Sequence, residues 1–171
     1  MAAKVGKMMK IAIGSDRCGF LYKQKLIEHI RKSGMEVVDV GTYEEIPSDS
    51  PYYAQKVANL VVTGECKYGV LICATGTGME IAANKVDGAM CAVGYSDLET
   101  RMSRLHNNCN IFAFGQDLMG YKDVETRFDI FINTEFSELS HQLNRIKMIK
   151  SIEEGKPIHL QEIQNKNWNK G

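Results

Sequence analysis

Apolar residues along this chain fall into two patterns. Short continuous runs recur at 10-KIAIG-14, 36-EVVDVG-41, 69-GVLIC-73, 89-AMCAVG-94 and 110-NIFAFG-115. Between them, apolar positions return every three or four residues, as Leu26, Ile27 and Ile30 do within 20–33. Continuous runs of that length predict strands buried on both faces, and the longer period predicts amphipathic helices. Helices are predicted over about 20–33, 52–63, from Gly78 onward, near 98–106, and over 123–134 and 140–154. Gly34 reads as the stop of the first. The stretch 42-TYEEIPSDSP-51 holds two of the three prolines and reads as a loop.

Strand and helix alternate five times, with no internal repeat. Such an order predicts an α/β fold, a three-layer Rossmann-like sandwich around a five-stranded parallel sheet. Ligands of such sheets bind beyond the carboxyl ends of the strands. Three chemically loaded segments fall there: Asp16 and Arg17, Cys73 to Gly78, and Tyr95 to Asp97. The expected organisation is one domain over 1–155 and a polar tail over 156–171. The tail is either an arm on a partner subunit or a segment without fixed structure.

Composition narrows the function. With 171 residues the chain can bury one sizeable core. Its 21 basic and 21 acidic residues balance, and no basic block is present, so a nucleic-acid partner is not expected. No apolar stretch approaches the roughly 18 residues of a membrane span. The leading MAAKVGKMMK lacks a signal peptide's apolar run, so a cytoplasmic location is expected. Five cysteines without a CxxC pair argue against a zinc ribbon or a thioredoxin-like motif. Reduced thiols, mostly packed as small hydrophobes, are expected.

The stretch 73-CATGTG-78 puts a thiol where a buried strand opens into a glycine turn. Glycines let the backbone turn tightly and expose its N–H groups, and a following helix adds its positive end. The lysine of a nucleotide-binding phosphate loop is missing. Two readings of Cys73 stay open on these residues alone: a packed structural thiol, or a base beside an oxyanion cradle, its pKa lowered by the donors. His106 either caps a helix end or moves a proton. Asp16 either caps the first helix or binds hydroxyls. Arg17 offers a planar fork suited to phosphate, or a rim ion pair. Arg101 and Arg104 share a helix face and read as surface charges or structural pairs, with a phosphate role as the alternative.

Together these segments resemble the type B ribose-5-phosphate isomerase and galactose-6-phosphate isomerase family. The resemblance runs from about Lys10 to Glu154, through 11-IAIGSD-16, 37-VVDVGTY-43, 51-PYYAQKVA-58, 71-LICATGTGMEIAANK-85, 102-MSRLHNNCN-110, 112-FAFG-115, 133-NTEF-136 and 141-HQ-142 with Arg145. It implies a cofactor-free, metal-free aldose–ketose isomerisation of a sugar phosphate through an enediol, within pentose phosphate or related carbohydrate metabolism. Carried over, Cys73 takes the proton between C1 and C2. Thr75 and the backbone of Gly76, Thr77 and Gly78 hold the oxyanion. Asp16 and His106 assist ring opening, Asn107 binds the sugar, Tyr53 lines the pocket, and Arg145 binds the phosphate; Arg17, which departs from the family, is a compensating phosphate contact. The resemblance also implies a homodimer or homotetramer with active sites shared between subunits.

Departures fall around the phosphate end. Arg17 stands where the family usually has histidine, Asp117 and Ser140 where it usually has arginine, and one extra residue separates HQ from Arg145. An arginine–phosphate contact contributes on the order of 1.5–3 kcal/mol, so these changes imply a shifted substrate. The alternatives are a non-catalytic sugar-phosphate-binding or regulatory subunit, a galactose-6-phosphate isomerase subunit, and a redox thiol protein.

Overall fold

The continuous apolar runs can be buried only if both faces of their sheet are covered, and both are. The computed structural model describes residues 8–159. Its first compact unit extends through Glu138. Five parallel strands, β1 (Lys10–Ser15), β2 (Glu36–Asp39), β3 (Tyr68–Cys73), β4 (Cys91–Val93) and β5 (Ile111–Gly115), stand in the order β2-β1-β3-β5-β4. Between them run α1 (Phe20–Lys32), α2 (Ser50–Val62), α3 (Thr77–Ala83) and α4 (Asp97–Leu105), and α5 (Tyr121–Asn133) follows β5. This is the expected three-layer α/β sandwich with a five-stranded parallel sheet.

Two cores explain the layering. On one face Ala54, Val57, Ala58 and Val61 of α2 and Met79 and Ala83 of α3 pack on Ala12, Leu71 and Ala113 of the strands. On the other, Leu26, Ile27 and Ile30 of α1 and Val124, Phe128 and Phe131 of α5 pack on Ile11, Ile13, Val70, Ile72, Phe112 and Phe114. The register alternates the strand residues between the two cores, as the two-residue period of a strand requires.

Beyond shifts of one or two residues at other element ends, three boundaries differ from expectation for reasons the hydrogen bonds give. β2 ends at Asp39, because that carboxylate turns to a buried lysine and to the Gly41 N–H. β4 shrinks to Cys91–Val93, since Asn110 takes the Met90 N–H and Asn84 takes the Cys91 N–H. α3 begins at Thr77 rather than after Gly78, because Gly76 already accepts the Glu80 N–H. The last predicted helix forms a second unit, with α6 at Ser140–Glu153. Residues 160–171, most of the expected tail, lie outside the described residues.

Candidate active site

Cys73 closes β3 at the carboxyl edge of the sheet, 6% exposed. The chain then turns sharply through Gly76, whose φ of 85° is left-handed and favours glycine. A side chain at Gly76 would also come within 3.1 Å of the Phe114 backbone. The turn aims the Gly76 N–H at the Cys73 Sγ, 2.9 Å away. Burial pushes the Cys73 thiol up from its ordinary range, while the N–H groups of Gly76, Thr75 and Met79 pull it back and the Asp16 carboxylate adds to the rise. The expected lowering of this thiol by its donors is therefore outweighed by desolvation. A donor assigned to an oxyanion, the Gly76 N–H, is also given to the sulfur.

Neighbouring loops fix this turn. The Tyr95 hydroxyl donates to the Thr75 carbonyl at 3.2 Å and lies 3.4 Å from Thr77 Oγ1. Tyr95 is itself held by Glu99, which accepts its N–H at 3.1 Å, while Ser96 caps α4 by accepting the Glu99 N–H at 3.1 Å. From the other side, Gln116 donates its N–H to the Cys73 carbonyl and Asp117 to the Ala74 carbonyl, each at 2.9 Å. Gly115 permits that approach, since a Cβ there would stand 2.7 Å from the Thr75 carbonyl.

Asp16 follows β1 at the same edge. It accepts the Gly19 N–H at 3.2 Å and so caps the 3-10 turn Arg17–Gly19, not α1 as expected, whose own N-cap is Gly19 without a side-chain hydrogen bond. Burial raises its carboxyl above the usual carboxylate range; the Gly19 and Cys18 N–H groups and Arg17 oppose this, and Asp117 adds to it. Asp117 thus acts on the same edge as Asp16. Arg17 is exposed and lines a cleft of 230 Å³ with Asp16, Cys18, Pro47 and Ser48. The Ser48 Oγ is buried with no hydrogen-bond partner. Tyr53, in the first turn of α2, lays its ring against Gly41, where a Cβ would stand 2.6 Å from Cε1.

His106 and Asn107 are elsewhere. They follow α4 and lie exposed beside the start of β5 at the amino edge, where Asn110 accepts the Gly69 N–H. Cys73 is at the opposite end of β3, four residues beyond Gly69, or about 13 Å at 3.3 Å per residue. One copy of this chain does not bring His106 and Asn107 to Cys73. Arg104 is structural: 5% exposed, it donates to the carbonyls of Thr134 and Cys109, the Tyr68 hydroxyl and Asn108 Oδ1. Arg101 is exposed and lines a separate cleft with Asp129 and Asn133. Arg145 stands on α6 in the second unit.

Cys66, Cys91 and Cys109 are buried free thiols, as expected. Among the described residues, no three His, Cys, Asp or Glu are grouped to hold a metal, and no helix is long and apolar enough to cross a membrane. Sequence reasoning missed two contributors. Tyr95 was visible only as part of a loaded segment, and Ser48 only as a turn residue beside Pro47.

The family described as ribose/galactose isomerase matches residues 11–149. The chain belongs to this family. It is 37% identical over 147 residues to ribose-5-phosphate isomerase B of Escherichia coli, covering 86% of this chain and 98% of that protein. Its fold superposes on the Clostridium thermocellum ribose-5-phosphate isomerase B with a TM-score of 0.84 at 39% identity, covering 86% of this chain and 99% of the other. The Mycoplasma genitalium ribose-5-phosphate isomerase B, solved with bound ribulose-5-phosphate, aligns with a TM-score of 0.82 at 30% identity over 86% of this chain and 99% of that one.

Proposed function

We propose that this chain is a cofactor-free aldose–ketose isomerase of a phosphorylated sugar, with ribose 5-phosphate and ribulose 5-phosphate as the leading pair. The observation that carries this is the Cys73 thiol, buried at the carboxyl edge and hydrogen-bonded by the Gly76 N–H in a glycine turn. As thiolate, Cys73 takes the proton from C2 of the aldose. The electron pair of that bond moves toward the carbonyl oxygen, and the enediolate forms. The proton of the C2 hydroxyl passes to O1, the thiol returns its proton to C1, and the electron pair of the O2–H bond forms the C2 carbonyl of the ketose. Because the Gly76 and Thr75 N–H groups serve the sulfur, the Thr75 hydroxyl, Thr77 and Gly78, at exposed residues, are left to face the oxyanion.

Asp16, with its raised carboxyl, binds sugar hydroxyls and assists ring opening, and Tyr53 lines the pocket. Arg17 holds the phosphate at the rim of the cleft. The resemblance makes Arg145 a further candidate for the phosphate. The match over 11–149 runs past Glu138, which supports treating 1–155 as one isomerase domain. The work of such an enzyme is metabolic and fits the cytoplasm.

His106 and Asn107 complete the site from a second copy of the chain. Their place at the opposite edge from Cys73 supports a homodimer, alone or within a tetramer, with each pocket built from two subunits. The test is a panel of pentose and hexose phosphates assayed for aldose–ketose conversion. Cys73→Ala and His106→Ala should each be inactive alone, and mixing them under subunit exchange should restore activity, since a mixed dimer holds one intact site. Activity of Cys73→Ala alone would sink the base, and no recovery on mixing would sink the shared site.

A further inference from the structure

Lys23 has no exposed surface, although it lies on α1 beside solvent-facing Gln24 and Lys25. A buried ammonium has to be paired. Its Nζ stands 2.6 and 2.8 Å from the two carboxylate oxygens of Asp39, at the end of β2. The same Asp39 Oδ1 accepts the Gly41 N–H at 3.0 Å. The Asp39 carbonyl accepts the Tyr43 hydroxyl at 3.0 Å, and Lys23 Nζ lies 5.4 Å from the Tyr43 ring. The turn over 39–43 is therefore organised around this one ion pair.

That turn adjoins the candidate pocket on two sides. The Ser15 N–H donates to the Gly41 carbonyl and the Thr42 N–H to the Ser15 carbonyl, each at 2.7 Å, directly before Asp16. Gly41, at a left-handed φ of 109°, backs onto the Tyr53 ring. The loop continues to Pro47 and Ser48, which face Asp16 and Arg17 across the cleft.

We propose that Lys23 and Asp39 are positioning residues for sugar-phosphate binding. The carboxylate, oriented by the buried ammonium, sets Gly41 and hence the Tyr53 ring and the loop wall of the cleft. This deepens the isomerase reading and rests on it. A pair serving stability alone is replaceable by apolar side chains of similar volume; a positioning pair is not.

The test compares Lys23→Met/Asp39→Leu, which removes both charges and the acceptor for Gly41, with Lys23→Met/Asp39→Asn, which removes the charges and keeps an acceptor. Melting temperature, Gly41 amide exchange, and kcat and KM for ribose 5-phosphate are measured on each. The Leu variant should fold, lose Gly41 protection and raise KM about tenfold with kcat changed less than about threefold. The Asn variant, which keeps an acceptor for Gly41 but loses the ammonium that orients it, should raise KM about threefold, between wild type and the Leu variant. Equal KM values in all three proteins would overturn the proposal, as would failure of both variants to fold. If the wild type turns over no sugar phosphate, calorimetric binding of ribose 5-phosphate replaces KM. A tenfold weakening in the Leu variant then upholds the positioning role while the isomerase reading falls, and no binding by the wild type overturns both.

Discussion

At the amino edge of the sheet, Arg104 donates to four oxygens and stacks over Tyr68 and Phe131 at 4.8 and 5.5 Å. Cys109 beside it is pushed up to about 12 by burial, with Arg104 only partly opposing. At the carboxyl edge, Arg17 is exposed, the Asp16 carboxyl is raised, the Ser48 Oγ has no partner, and Cys73 receives donors from its own loop. Both edges hold an arginine and a buried thiol. One closes its polar groups among themselves, and the other leaves Asp16 and Arg17 lining a cleft. Satisfied networks make a rigid frame, and incompletely satisfied groups are where a ligand gains free energy by binding.

The largest expected effect separates the two thiols. Cys73→Ala should lower turnover on the order of 10²–10⁴-fold, the range for losing a positioned proton carrier. Cys109→Ala should leave kcat within about threefold and show its effect in a denaturant midpoint. Equal kcat losses would erase the distinction between the edges.

The two arginines give the next contrast. Arg104→Met should destabilise the fold by roughly 3 kcal/mol or more, because the Thr134 and Cys109 carbonyls lose their donor inside the protein. Arg17→Met should change stability by less than about 0.5 kcal/mol, since the side chain is exposed, yet raise KM for a sugar phosphate about tenfold or more. Urea unfolding and steady-state kinetics on both variants measure the two effects.

The raised thiols give a pH signature. Cys73 is pushed above its ordinary range, so its thiolate fraction, and with it kcat/KM, should climb through pH 9 rather than level off near neutrality. Fold stability should run the other way. Cys109 ionises in the unfolded chain near its ordinary pKa but in the folded one only at about 12. Folding stability from its buried neutral form is complete below the unfolded value and falls by about 1.4 kcal/mol per pH unit between the two. A pH–rate profile flat above pH 7 would contradict the first claim, and pH-independent unfolding from pH 9 to 11 the second.

The smallest effect is at Asp117. Asp117→Asn removes a charge that raises the Asp16 carboxyl and repels an anion at that edge. It should lower KM for a sugar phosphate a few-fold, the size of an exposed-charge term, with kcat little altered. A higher KM would mean that Asp117 contacts the substrate directly.

Much of this was legible in the sequence, and the parts that were not share a cause. The strands were visible because runs such as 69-GVLIC-73 stay apolar at every position, which only a sheet covered on both faces requires. The thiol at the strand end was visible because its glycines follow directly. Lys23 and Asp39 are 16 residues apart and each looks ordinary; only the fold reveals that one is fully buried against the other. The Tyr95 clamp on Thr75 closes over 20 residues. The resemblance gave His106 a part in ring opening and implied sites shared between subunits; only the winding of α4 back along the sheet reveals that His106 lies at the opposite edge of its own chain from Cys73.

The most direct measurement is hydrogen exchange at carbon. The sugar phosphate turned over by the wild type is incubated in deuterated water with wild type, Cys73→Ala and Cys109→Ala, and deuterium at C2 is followed by NMR. Deuterium should enter C2 with the wild type and Cys109→Ala and fail to enter with folded Cys73→Ala. Exchange by Cys73→Ala at the wild-type rate would show that another group takes the proton and that Cys73 is a packed thiol like Cys109.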